Sequence, residues 1–181
     1  MQGKALRSYA ALLRGVNLGS HNKVSMSDLR ELFEGLGHED VATYVQSGNV
    51  VFRARGDAES LAAAIERRIE RDLGLSVAVL LRDKTQLARI AAANPFAGKE
   101  RDPTRLHVTF LAETAPRAAV RELAAGDFAP DALHVNGKEV YLHTPQGYGR
   151  TKLSGMFFEK KLGVVATTRN WRTVTKLTEL T

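Results

Sequence analysis

Two apolar periodicities alternate in a set order along the first 83 residues, and that order admits few folds. Tyr9–Arg14 is an apolar run of strand length. Ser27-Asp28 then caps a segment with Leu29, Leu32, Phe33 and Leu36 at i, i+3, i+4 and i+7, which is one apolar helical face. Two β-rich runs, Val41–Val45 and Val50–Arg53, flank the tight turn Gln46-Ser47-Gly48-Asn49. Leu61, Ile65, Ile69 and Leu73 recur four apart on a helix that Gly74 ends, and Val77–Leu81 follows as a strand. The order is βαββαβ, the split-βαβ or ferredoxin-like plan.

The second half echoes this in part. Lys84–Ala93 reads as a helix stopped by Asn94-Pro95, and the polar stretch Gly98–Pro103 leads into a strand at Arg105–Ala112. Pro116–Ala125 has the early proline that helix starts accept. Leu133–Val135 and Glu139–His143 flank Asn136-Gly137, a strong hairpin signal. Two helices, about 152–162 and 169–180, complete a βαββα pattern plus one helix. The expectation is an α+β protein of two ferredoxin-like (split βαβ) subdomains with extra C-terminal helices, residues 1–83 and 84–181.

With 44% hydrophobic and 25% charged residues, the chain has an ordinary globular composition. The absence of Cys excludes disulfide scaffolds, thiolate zinc sites, Fe–S clusters and Cys nucleophiles. Met1–Arg7 lacks the apolar core of a secretory signal, and runs such as Val77–Leu81 fall far short of a membrane span. The expectation is a cytoplasmic protein with no membrane partner. The five histidines follow no metal-ligand spacing, so neither a metal nor a cofactor is expected.

Net charge is +6, and it is unevenly placed. Residues 149–181 carry Arg150, Lys152, Lys160, Lys161, Arg169, Arg172 and Lys176 against only Glu159 and Glu179. Such a patch favours anionic partners.

Three polar loops can carry chemistry. The first, Arg14–Lys23, joins a strand to a helix with two glycines, a setting in which backbone N–H groups converge on anions. Its glycine spacing fits neither a Walker loop nor a dinucleotide fingerprint. The second is the turn Gln46–Asn49. The third, Gly147–Lys152, opens a helix with Thr151 as its expected cap, and Thr168 is expected to cap the next helix, which begins Arg169-Asn170-Trp171-Arg172. Cations in a first helical turn cost roughly 0.3–1 kcal/mol each, which suggests an anion that offsets them. On that helix Arg169, Arg172 and Lys176 would form one outward stripe with Trp171 packed inward.

Ala11–Gly19, Lys23–Met26 and Tyr44–Phe52, with Gly149–Leu153, Glu159–Gly163 and Thr168–Val174, together resemble the bacterial family known as domain of unknown function 1697. One departure is mild: Ser20 stands where that family usually has Gly. The resemblance implies a cytosolic α+β fold with ferredoxin-like halves, and brings no activity, ligand or catalytic residue with it.

Two functional readings stand side by side. In the first, the protein binds an anionic small molecule, a nucleotide or a nucleic acid. Arg14, Lys23, Arg150, Lys152, Arg169 and Arg172 contact phosphates, while Asn17, Asn22, Gln46, Ser47, Asn49 and Asn170 supply polar contacts. In the second, it is an enzyme acting on a small phosphorylated or carboxylated substrate, with Arg150 and Arg169 clamping the anion and His21 or Lys23 moving a proton. A protein-interaction role is a third.

Overall fold

The computed structural model describes residues 5–181. The chain divides into two compact units, one running to Arg89 and joined by Leu177–Thr181, the other Ile90–Lys176.

The first unit contains β1 (Leu6–Leu13), α1 (Met26–Gly35), β2 (Glu39–Tyr44), β3 (Asn49–Arg55), α2 (Ala58–Leu73) and β4 (Val79–Asp83), followed by α3 (Lys84–Ala92). Its antiparallel sheet has the order β2-β3-β1-β4. Helix α1 starts earlier than its spacing suggested. Ser25 rather than Ser27-Asp28 is the cap, its Oγ accepting the Asp28 N–H at 3.0 Å. Gly74 ends α2 at φ 66°, a left-handed conformation that suits glycine. The apolar stripes of the two helices (Leu29, Leu32 and Phe33; Leu61, Ile65 and Ile69) bury against Tyr9, Leu13 and Phe52 of the sheet. Each such side chain, fully buried, contributes about 1.5–3 kcal/mol.

The second unit contains β5 (Leu106–Leu111), α4 (Arg117–Ala124), β6 (Ala132–Asn136), β7 (Glu139–His143), α5 (Gly155–Leu162), β8 (Ala166–Asn170) and the start of α6 (Trp171–Leu180). Its sheet order, β6-β7-β5-β8, is that of the first unit position for position. The β6–β7 hairpin turns at Gly137-Lys138, with Gly137 at φ 62° and Asn136 still paired to Glu139.

Here the expected ending of the chain is corrected. Residues 166–170 form a strand, not the cap and first turn of a helix, so the second unit is a complete βαββαβ repeat. Strand β8 satisfies the side of β5 that faces away from β7, pairing His107 with Asn170 and Leu111 with Ala166. The adjoining helices shift accordingly. Ser154, not Thr151, caps α5 through the Phe157 N–H, and Asn170, not Thr168, accepts the Thr173 N–H at the start of α6. Among the described residues no helix is long and apolar enough to cross a membrane, and no cluster of three or more His, Asp or Glu is arranged to hold a metal ion.

Candidate functional site

At one end of the first unit's sheet, two of the three polar loops are built into a single body. The Leu13 N–H donates to Gly48 O and the Arg14 N–H to Ala78 O, both at 2.9 Å, so β1 ends tied to both neighbouring segments. Gly15, at φ 71°, turns the chain, and Val16 drops into the core. Asn17, left-handed at φ 54°, then acts as the clasp. Its Nδ2 donates to Val24 O (3.0 Å) and Gln46 O (2.7 Å), and its Oδ1 accepts the Val24 N–H (2.9 Å). The Asn22 Nδ2 closes the loop base on Gly15 O at 3.2 Å.

The turn 46–49 meets this loop directly. A Cβ on Gly48 would lie 2.3 Å from Val16 Cγ2 and 2.9 Å from Leu13 Cβ, so only glycine lets the loops close. Asn49 is wholly buried and donates to Tyr44 O (3.0 Å) and Ser47 Oγ (2.8 Å).

The structure thus gathers Arg14, Asn17, Asn22, Lys23, Gln46, Ser47 and Asn49 at one place, but divides their tasks. Asn17, Ser47 and Asn49 have side-chain polar atoms engaged in holding the loops, and Asn22 its Nδ2. Lys23, His21 and Gln46 stand exposed, with Arg14 half buried at the strand end. Neither stretch 14–25 nor 44–49 contains a carboxylate. Two aliphatic side chains protrude from the same loops, Leu18 at 65% and Val45 at 50% exposure.

The third loop belongs to the second unit. Arg150 and Lys152 border a cleft of about 180 Å³ with Asp127, Asp131 and Gln146. Thr151 Oγ1 donates to Asp131 Oδ2 at 2.6 Å and accepts the Leu153 N–H at 3.0 Å, which fixes the loop. The expected stripe of Arg169, Arg172 and Lys176 does not exist, because strand geometry places Arg169. Its buried guanidinium donates to Thr167 Oγ1 (2.6 Å) and Thr168 O (3.0 Å). Burial lowers its pKa to about 10, still charged at neutral pH. Arg172 is exposed and lies near Asp102, and Asn170 is taken up capping α6.

Two features escaped the spacing of residues. His107, 7% exposed, stacks on Tyr148 with centroids 4.3 Å apart, its Nδ1 without a hydrogen-bond partner among the described residues, and burial lowers its pKa to about 4. The loop 127–131 lines both the Arg150 cleft and an adjoining apolar groove. No local pattern marks either one: His107 and Tyr148 lie 41 positions apart, and the cleft joins loop 127–131 to residues 146–153.

Among curated proteins no relative matches the chain. A solved structure, that of the conserved bacterial protein SP0830 from Streptococcus pneumoniae, superposes with a TM-score of 0.78. The match covers 97% of this chain and 99% of that one at 23% identity, a likeness of fold. A family model described as "Protein of unknown function (DUF1697)" matches residues 6–141, which takes in both loops of the first unit and stops short of the motifs from Gly149 onward. On that match, spanning most of its length, the chain belongs to the DUF1697 family.

Proposed function

We propose that the protein binds a phosphate-bearing ligand, a nucleotide or nucleic acid, on the paired loops 14–23 and 46–49. The observation that carries this reading is the exposed Lys23 on a loop body that holds no carboxylate and is locked by the Asn17 clasp. A cation on a rigid support loses little freedom when it meets an anion, so more of the contact energy appears as affinity. Gln46 offers an amide for polar recognition, and Leu18 and Val45 offer apolar surface to the face of a base.

The test is a thermal-shift and calorimetry panel of nucleotides, pyrophosphate and short single-stranded DNA and RNA, at low and moderate salt. A bound nucleic acid loses affinity steeply as salt rises, and a nucleotide much less so. Lys23→Ala is expected to weaken binding by roughly tenfold or more, the loss of one charge-assisted contact, while leaving the melting temperature of the free protein unchanged. Failure of every ligand to stabilise the parent protein overturns the reading.

A further inference from the structure

The second unit leaves the edge strand β6 open in a way that its counterpart in the first unit, β2, is not. Strand β2, the edge of the first sheet next to β3, is protected: its pairing with β3 slips between Glu39 and Ala42, and it carries Glu39 and a left-handed Asp40. The matching edge β6 pairs regularly with β7 over all five residues, Ala132–Asn136, and carries no Asp, Glu, Lys or Arg. The hairpin turn has two residues, so Asn136, His134 and Ala132 exchange hydrogen bonds with β7. Leu133 and Val135 therefore aim their N–H and C=O groups outward, where no strand of the described residues pairs with them.

Beside this edge runs an apolar groove of about 510 Å³, walled by Leu123 of α4 and by Phe128, Leu133 and Val135. His134 lines it too. Successive strand residues face opposite sides of a sheet, so the groove wraps around the edge itself. At the Ala132 end it adjoins the Arg150–Lys152 cleft, the two sharing Asp127, Phe128 and Asp131. Asp127 accepts the Ala129 N–H of its own loop and Asp131 the Thr151 hydroxyl of the neighbouring loop, and neither forms an ion pair with Arg150 or Lys152. Arg150 and Lys152 are exposed, and neither pairs with a carboxylate among the described residues.

The geometry points to a peptide-binding site. An extended peptide adds a strand to β6, places alternate apolar side chains in the groove, and sets its free C-terminal carboxylate on Arg150 and Lys152. Main-chain hydrogen bonds to Leu133 and Val135 supply register, and the groove selects side chains. Because the cations lie at the start of β6, the peptide runs antiparallel to it.

Fluorescence anisotropy tests this with a pool of labelled hexapeptides that carry Val, Ile or Leu at alternate positions and a free C-terminus. Saturable binding is expected, with amidation of the pool weakening it about tenfold through loss of the charge-assisted contact. The double variant Arg150→Ala, Lys152→Ala is expected to bind both pools alike. Val135→Pro removes an outward N–H without taking one from the β7 ladder, and is expected to abolish binding; the amidated pool tests the site even if that variant misfolds. Binding indifferent to amidation, or none up to about 1 mM peptide, overturns the proposal. So does sedimentation as a dimer that Val135→Pro dissociates, which would give the edge to a second copy of the chain.

Discussion

Val45 holds φ at 48°, a backbone region that a β-branched side chain strongly disfavours, and its side chain is half exposed, so little burial compensates. Asn tolerates the same conformation, as Asn17 and Asn22 in the facing loop illustrate. Val45→Asn is therefore expected to raise stability by about 1 kcal/mol, seen as a rise of roughly 2–4 °C in melting temperature. A lower melting temperature would mean that the Val45 side chain makes contacts worth more than the strain. At this scale the sequence was readable where a residue acts through its own backbone: Gly74 as a helix end and Gly48 as part of a turn follow from residue type and immediate neighbours. That Gly48 is needed because Val16 presses against it was not readable, since the two lie 32 positions apart and meet only after folding.

Strand β8 shows the same division at the level of elements. Thr167 and Thr168 are β-branched and suit a strand, yet the following Arg169–Leu180 carries a helical pattern strong enough to absorb Arg169 and Asn170 by spacing. What decides the matter is the open side of β5, whose polar groups need a partner. The consequence reaches the charges. On a helix Arg169 and Arg172 would be equivalent surface cations; in the strand Arg169 is buried and bonded to Thr167 and Thr168. Arg169→Ala is thus expected to cost about 2–4 kcal/mol in urea unfolding, through a cavity and lost charge-assisted hydrogen bonds. Arg172→Ala, exposed beside Asp102, is expected to stay within about 0.5 kcal/mol. Equal small effects would restore the helical stripe.

For the whole molecule, the buried His107 and the partly buried His38 make stability depend on pH. Burial takes His107 from 6.5 to about 4 and lowers His38 as well, so the unfolded chain binds protons that the folded chain refuses. Stability is full above pH 6.5 and falls as pH drops toward 4, by up to about 3 kcal/mol for His107. The carboxylates of Asp72, Glu100 and Asp102 are held below their ordinary values, chiefly by hydrogen bonds to Arg68, Asp102 N–H and Thr104 respectively. Their contribution is lost only at lower pH, as each is protonated. Urea unfolding of His107→Gln between pH 7 and 4.5 is expected to show a flatter profile than the parent; parallel profiles would place the titration elsewhere. Taken by itself, the sequence determined the order of the helices and strands other than β8, and the apolar faces of α1 and α2, because those depend on spacings within one or two turns of chain. Tertiary structure alone decided that residues 166–170 are a strand, that Asn17 clasps Gln46, and that Arg169 is buried while Lys23 is exposed. Those outcomes depend on hydrogen-bond groups and surfaces satisfied by residues far away along the chain, which no local spacing encodes.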